Sequence, residues 1–322
     1  MIAVQTHNLT KTFGPVTAVD DIHLEIQQGS VVGVIGPDGA GKTTLLRLLT
    51  GLLKSTSGSI SVVGTDVVKN PQELKKDIGY MPQHFSLYGD LTVTENLKFF
   101  ADMYSVSRDV FDQRKKELLA FSGLTLFQNR LARNLSGGMQ KKLALASNLL
   151  HTPKILFLDE PTTGVDPVSR QELWDILFQL NKQGVTLILT TPYMDEAQRC
   201  QRVGFMYDGR ILSFRSPQDL IREMKEEVVE LVTPEKRAKK ILMSLPSLIN
   251  MYPFGRTLHL TFGAGELGTE KTRALLEKHG IETSSIKKIT PSFEDVFLNL
   301  ILKQDKIQEN DPSCSSMNGR TY

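Results

Sequence analysis

The chain has 322 residues, of which 40% are hydrophobic and 23% charged, with a formal net charge of +2. This composition suits a globular protein with room for two domains. It offers no basic field for nucleic acid, and no apolar run reaches the length that spans a bilayer. With only Cys200 and Cys314 there is no disulfide framework, so a reducing cytoplasm is the expected compartment. The stretch Met1 to Thr10 lacks the basic start and apolar core of a signal peptide.

In chain order, Ile2–Leu9 and Val16–Ile26 read as strands joined by a turn at Gly14-Pro15, with clear alternation at Ile22, Leu24 and Ile26. Phe13, just before the second strand, is either a core residue or an aromatic plate under a purine base. The apolar run Val31–Ile35 reads as a buried strand. It leads into Gly36-Pro37-Asp38-Gly39-Ala40-Gly41-Lys42-Thr43, which fits the phosphate-loop pattern G-x-x-x-x-G-K-[ST]. Thr44 opens a run to Leu53 with apolar residues at helical spacing. A tight glycine turn between strand and helix aims backbone N–H groups and a helix N-terminus at one anion, and glycines without Cβ let phosphate lie against the backbone. Residues 36–44 are therefore the expected nucleoside triphosphate site, with Lys42 on the β- and γ-phosphates and the Thr43 hydroxyl on Mg²⁺.

Further along, Asp77–Gln83 reads as a strand ended by Pro82, and Gln83 offers a neutral amide to a metal water or a γ-phosphate. Thr92 and Glu95 form a capping box that opens a helix to about Tyr104, and a second helix follows near Val110–Phe121. An all-helical insertion is expected over about residues 84–150. Within it, Leu135-Ser136-Gly137-Gly138-Met139 starts another helix, with Ser136 as cap. Two glycines in a first turn cost roughly 0.8–1 kcal/mol each against alanine, so something must approach that backbone closely. Ile155–Leu158 is an apolar strand that ends in Asp159-Glu160. Ligands of open α/β sheets sit beyond the carboxyl ends of the strands, so Asp159 is placed to hold Mg²⁺ and Glu160 to polarise a water. Asp166-Pro167 caps a helix to Leu180, and Val185–Thr190 is a further strand halted by Pro192.

In this order GPDGAGKT, Gln83, LSGGM, ILFLDE and TGVD resemble the ATP-binding-cassette ATPases over about residues 1–220. The resemblance implies a P-loop α/β fold, with a mixed sheet core and a helical subdomain. It implies a head-to-tail dimer in which Ser136, Gly137 and Gly138 cover ATP held by the other cassette's phosphate loop. It also implies that Phe13 stacks adenine, Gln83 senses the γ-phosphate and faces the transporter, Glu160 is the catalytic base and Asp166 lies at the dimer seam. The finer resemblance, in GYMPQHFSLYGDLTVTENL and Pro291–Leu298, is to ATPase subunits of daunorubicin-exporter-type efflux systems, which serve a separate integral-membrane permease. That places the chain peripherally on the inner face of the membrane. The sequence departs from the family pattern at Asp38, where asparagine or serine is usual, and at Met139, where glutamine is usual. Above all, Pro192 stands in place of the switch histidine. Proline has neither a side-chain donor nor an N–H, and losing one preorganised donor typically costs on the order of 10²–10³ in rate.

From Val228 the pattern changes to β-α-β-β-α-β, which suggests a small ferredoxin-like domain over 226–302, regulatory or dimerising or without separate function. Residues 303–322 are polar and expected to be disordered. The expected protein is an exporter's ATP-hydrolysing subunit that uses ATP and Mg²⁺. Pro192 favours pairing with a different cassette over pairing with itself, since a heterodimer needs only one weakened site. A soluble cassette ATPase of ribosomes or DNA repair, and a regulatory subunit with little hydrolysis, are the alternatives.

Overall fold

The computed structural model describes residues 1–84 and 87–309. Cys314 and residues 310–322 of the expected tail lie outside them, as do Phe85 and Ser86. The chain divides into two compact units, one of Met1–Phe214 and the other from Arg215 onward.

The first unit begins with β1 (Ile2–Phe13), β2 (Val16–Gln27), β3 (Val31–Ile35), α1 (Lys42–Leu49), β4 (Ser57–Val62), β5 (Thr65–Asp66), α2 (Pro71–Leu74) and β6 (Ile78–Met81). It continues through α3 (Val93–Met103), α4 (Arg108–Phe121), α5 (Gly137–Asn148), β7 (Ile155–Asp159), α6 (Pro167–Lys182), β8 (Thr186–Thr191), α7 (Met194–Ala197), β9 (Arg202–Tyr207) and β10 (Arg210–Arg215). One sheet has the order β2-β1-β4-β5, antiparallel throughout. The other has the order β10-β9-β3-β8-β7-β6, and its strands from β9 to β6 pair in parallel. Strands buried on both faces need apolar residues at every position, and VVGVI and ILFLD are buried throughout. Leu45, Leu46, Leu48 and Leu49 of α1 share one apolar cluster with Leu9, Val19 and Ile22 of the antiparallel sheet and with Val32, Phe157 and Ile188 of the parallel one. Packing on both sheets fixes the helix, and with it the loop at its N-terminus.

The helical insertion holds α3, α4 and α5. The Thr92–Glu95 capping box is present with both reciprocal bonds, and Asn96, fully buried, ties the helix start to the carbonyls of Tyr88, Leu91 and Thr92.

The second unit contains α8 (Pro217–Glu223), β11 (Glu227–Val232), α9 (Arg237–Leu242), β12 (Leu248–Phe254), β13 (Thr257–Phe262), α10 (Gly268–Lys278), β14 (Ser285–Ile289) and α11 (Phe293–Glu309). After α8 the elements follow the β-α-β-β-α-β order, and the sheet order is β12-β13-β11-β14 with every pair antiparallel. Two boundaries differ from the sequence reading. The unit takes in α8, which packs on α11 and has Leu220 buried. The last helix runs on to Glu309, so residues 303–309 are helical rather than part of a disordered tail. Lys303 pairs with the partly buried Glu226 at 2.7 Å, a long-range contact that composition could not reveal.

Asp295 anchors the start of α11. It is fully buried and accepts from Tyr252 Oη at 2.6 Å and the Ser292 amide at 2.6 Å, with His259 Nδ1 at 3.0 Å. Burial and the Asp295 carboxylate together push the Tyr252 hydroxyl far above its usual range. Each buried donor left without its acceptor costs about 1–3 kcal/mol. Asp295→Ala is therefore expected to destabilise the second unit by about 3 kcal/mol or more. Hydrogen exchange of the full chain checks this: protection should fall in β13 and α11 while α1 and β3 keep theirs.

Candidate active site

The phosphate loop is built by close approach of backbone. A Cβ on Gly36 would lie 2.0 Å from the Met206 carbonyl oxygen, and one on Gly41 would lie 2.1 Å from that of Ala18. Both contacts are with this chain's own main chain, so these two glycines are demanded by the fold before any ligand arrives. Gly39 is the one with open space around it. It has φ +81°, a left-handed conformation that glycine adopts without strain. Pro37, Asp38 and Gly39 are exposed, while Ala40 and Lys42 are buried. The Lys42 ammonium donates to the carbonyls of Gly36 at 2.8 Å and Pro37 at 3.0 Å, across the inside of the loop. Its nearest carboxylate oxygens are Glu160 Oε1 at 3.8 Å and Asp38 Oδ1 at 4.0 Å. Asp38 itself stands in solvent.

Thr43 and Thr44 form the first turn of α1, and the Thr43 hydroxyl donates to Asp159 Oδ1 at 3.1 Å. Asp159 closes β7 and also accepts from Thr190 Oγ1, on the neighbouring β8, at 2.7 Å. A hydroxyl and a carboxylate side by side form a hard all-oxygen donor set, which fits Mg²⁺.

Glu160, also buried, has φ +47°. This left-handed conformation costs a residue with a Cβ of order 1–3 kcal/mol unless the surroundings fix it. Its amide donates to Thr190 Oγ1 at 3.0 Å, and its Oε2 accepts from Gln83 Nε2 at 2.8 Å and Thr163 Oγ1 at 3.1 Å. Oε1 is left on the Lys42 side. Gln83, Lys42, Thr43, Asp159 and Glu160 are thus brought together, although Gln83 and Glu160 lie 77 residues apart in the chain.

Three contributors escape the motifs. Thr190 binds both acids, Thr163 orients Glu160, and Lys141 on α5 donates to the Gln83 carbonyl at 2.8 Å and the Glu160 carbonyl at 3.5 Å. Burial holds the Lys141 ammonium below its usual range, against the opposing pull of Glu160 and Asp159. The polar end of the strand TLILTT beside the acidic strand was a readable signal for Thr190. For Lys141 there was none beyond its place one turn past LSGG.

The signature segment is placed differently. Ser136 caps α5 by accepting from the Met139 amide at 3.3 Å, and Ser136 and Gly137 are exposed. A Cβ on Gly138 would lie 2.4 Å from that of Ser169, so this glycine lets α5 lie against α6. One of the two costly first-turn glycines therefore has a packing reason within the chain. Phe13 ends β1 half exposed, with the Lys11 ammonium 4.9 Å from its ring centre, so it is not a core residue. Asp166 caps α6 through the Ser169 amide at 2.9 Å, which holds its carboxyl below the usual range.

Pro192 is exposed at the end of β8. The chain beyond it is held by Arg170, whose guanidinium lies 4.1 Å from the Tyr193 ring centre and pairs with Glu196 at 2.5 Å and Asp195 at 3.1 Å. Glu196 in turn accepts from Thr191 Oγ1 at 2.6 Å. These side-chain contacts of residues 193–196 do not involve residue 192.

Comparison with known proteins shows the family. The family model for ABC transporter matches residues 19–163. The chain is 41% identical over 287 residues to the probable multidrug ABC transporter ATP-binding protein YbhF of Escherichia coli K12, covering 88% of this chain but only about half of that protein, 49%. It is 31% identical to the linearmycin resistance ATP-binding protein LnrL of Bacillus subtilis, covering 92% of this chain and 97% of that one. It is 34% identical to the daunorubicin/doxorubicin resistance ATP-binding protein DrrA of Streptomyces peucetius, with 92% of each chain covered. Among solved structures, the dimeric post-hydrolysis cassette MJ0796 bound to ADP and Pi superposes with a TM-score of 0.61 at 28% identity, covering 66% of this chain and 98% of that one. The motifs, the sheet order and these relatives agree: the chain belongs to the ATP-binding proteins of the ABC transporter family.

Proposed function

We propose that this chain is the ATP-hydrolysing subunit of a drug-type exporter and acts on a separate membrane permease. The observation that carries this reading is the meeting of Gln83, Lys42, Thr43 and Asp159 around Glu160 at the strand ends. No helix among the described residues is long and apolar enough to cross a membrane, so the permease is assigned to another chain. The three relatives named above carry multidrug or drug-resistance designations, which supports export over a ribosomal or DNA-repair role.

In this reading the backbone amides of the exposed Asp38 and Gly39 and of the start of α1 take the phosphates, and Phe13 takes the adenine face. Lys42 exchanges its contacts with the Gly36 and Pro37 carbonyls for the β- and γ-phosphates. Thr43 and Asp159 would hold Mg²⁺, which when bound neutralises charge developing on the phosphoryl oxygens. Glu160 takes the proton of the attacking water at a carboxylate oxygen, while Gln83 and Thr163 hold the other oxygen in place. Ser136 and Gly137, exposed at the start of α5, cover ATP bound by a second cassette. Closure of the pair drives the permease from the cytoplasmic face.

Pro192 supports a second, narrower reading. A homodimer would lack the switch histidine at both sites, so the favoured partner is a different cassette. The partner's phosphate loop, acids and histidine then combine with Ser136, Gly137 and Gly138 from this chain into the faster site. The site built on Lys42 mainly holds ATP.

Two outcomes are expected. Lys42→Ala removes a charge-assisted donor worth roughly 1.5–3 kcal/mol, so equilibrium titration should show ATP binding weakened by about 10-fold to 100-fold, with transport lost alongside. Unchanged affinity would remove the role given to Lys42. Second, the purified chain should be nearly silent alone, become active with any cassette encoded beside it, and lose that activity on Ser136→Ala. Vigorous hydrolysis by the chain alone, unimproved by Pro192→His, would contradict the asymmetric pairing.

A further inference from the structure

Lys141 lies on α5, one turn beyond the Ser136 cap, and its ammonium leaves that helix for the active site. It donates to the main-chain oxygen of Gln83 at 2.8 Å and lies 3.5 Å from that of Glu160. The side chains of those same residues meet through Gln83 Nε2 and Glu160 Oε2 at 2.8 Å. The contacts close a ring: ammonium, Gln83 backbone, Gln83 amide, Glu160 carboxylate, Glu160 backbone, ammonium. The ring joins the signature helix, the strand end of β6 and the strand end of β7, which are otherwise distant in sequence.

Two features set this lysine apart from a surface cross-link. Its acceptors are carbonyls, and among the described residues no carboxylate stands within ion-pair distance of it. Moving an ammonium out of water onto neutral oxygens is costly. And one of those oxygens belongs to Glu160, whose left-handed φ of +47° persists only where neighbours over-determine it. The Thr190 hydroxyl fixes the amide side of Glu160. Lys141 is the group on the carbonyl side that comes from outside the loop.

We propose that Lys141 is a positioning residue for hydrolysis. It fixes the backbones of Gln83 and Glu160 relative to α5, so that the Glu160 carboxylate is aligned for proton abstraction when the signature helix is seated. Lys141 does not touch the nucleotide. Because the start of α5 is assigned to the opposite ATP, the same side chain ties the alignment of one site to the helix that senses the other. The inference rests on the reading of Glu160 as the base.

The test is single-turnover hydrolysis of γ-labelled Mg-ATP with the full-length chain in excess. With the chain alone every site present is built on its own Lys42 and Glu160, and a single turnover followed over a long time course registers even the slow hydrolysis expected of it. Trinitrophenyl-ATP titration runs in parallel as the measure of binding and of folding. Lys141→Met is expected to slow the single turnover by about 10-fold to 100-fold, the effect of a small misplacement of a catalytic group, with nucleotide affinity unchanged within about twofold. Lys141→Arg should recover most of the rate. Lys141→Gln, which keeps a donor and disturbs packing least, should fall between them, and it carries the test if the methionine variant does not fold. Variants that bind and turn over like the unmutated chain would overturn the proposal. So would affinity falling in step with rate, or an arginine variant no faster than the methionine one, since both indicate packing alone. Absence of any phosphate release from the unmutated chain, or a rate unaffected by Glu160→Gln, would remove the reading of the base and this inference with it.

Discussion

The Thr190 hydroxyl holds both acids of the site. It donates to Asp159 and accepts from the Glu160 amide, from a position fully buried on the neighbouring strand. Parallel pairing of β7 with β8 sets Asp159 opposite Thr190, so the register of two apolar strands decides where the carboxylates point. Asp159 is thereby held against Thr43 at the start of α1, and Glu160 is turned through a left-handed residue toward Gln83 and Lys42. A slip of one residue in that register would carry every side chain of β8 to the other face. The apolar residues of VVGVI, ILFLD and TLILTT fix the register, and so the core positions the chemistry.

Much of this was legible in the sequence, because the information was local. The phosphate loop, the capping box at Thr92, the cap at Ser136 and the acidic strand end are each written within eight residues or fewer, and each forms where expected. What was not legible depends on contacts between distant segments. Gly36 and Gly41 read as room for phosphate, whereas the structure sets them against the Met206 and Ala18 carbonyls. Gly138 read as a ligand's neighbour, and Ser169 of α6 is what lies against it. Lys141 reads as a helix surface charge until α5 is placed beside Gln83 and Glu160. The end of α11 was missed because a polar sequence gives no sign of an ion pair such as Lys303–Glu226.

The second unit shows how a familiar stretch can carry a structural duty. Pro291–Leu298 is part of the sequence resemblance to exporter ATPases, and its Asp295 is committed to holding a helix start. The Ser292 hydroxyl accepts from the Asp295 amide, while the carboxylate accepts from the Ser292 amide and from Tyr252. His259 lies under the stacked ring of Phe254 at 4.3 Å and completes the enclosure. The core of this unit, built on Val229, Leu231, Leu260 and Phe262, is a separate apolar cluster from that of the first. This packing accounts for Ser292 and Asp295 within the stretch.

In the function proposed above, Glu160 is the base of an ATP site completed by a second cassette. The most direct measurement is size-exclusion chromatography of Glu160→Gln with Mg-ATP, alone and with any cassette encoded beside it. The amide keeps the shape of the side chain and removes its basic charge, so ATP should bind and persist, and a stable dimer or heterodimer that the unmutated protein does not accumulate is expected. A variant that binds ATP yet stays monomeric in both cases would contradict it.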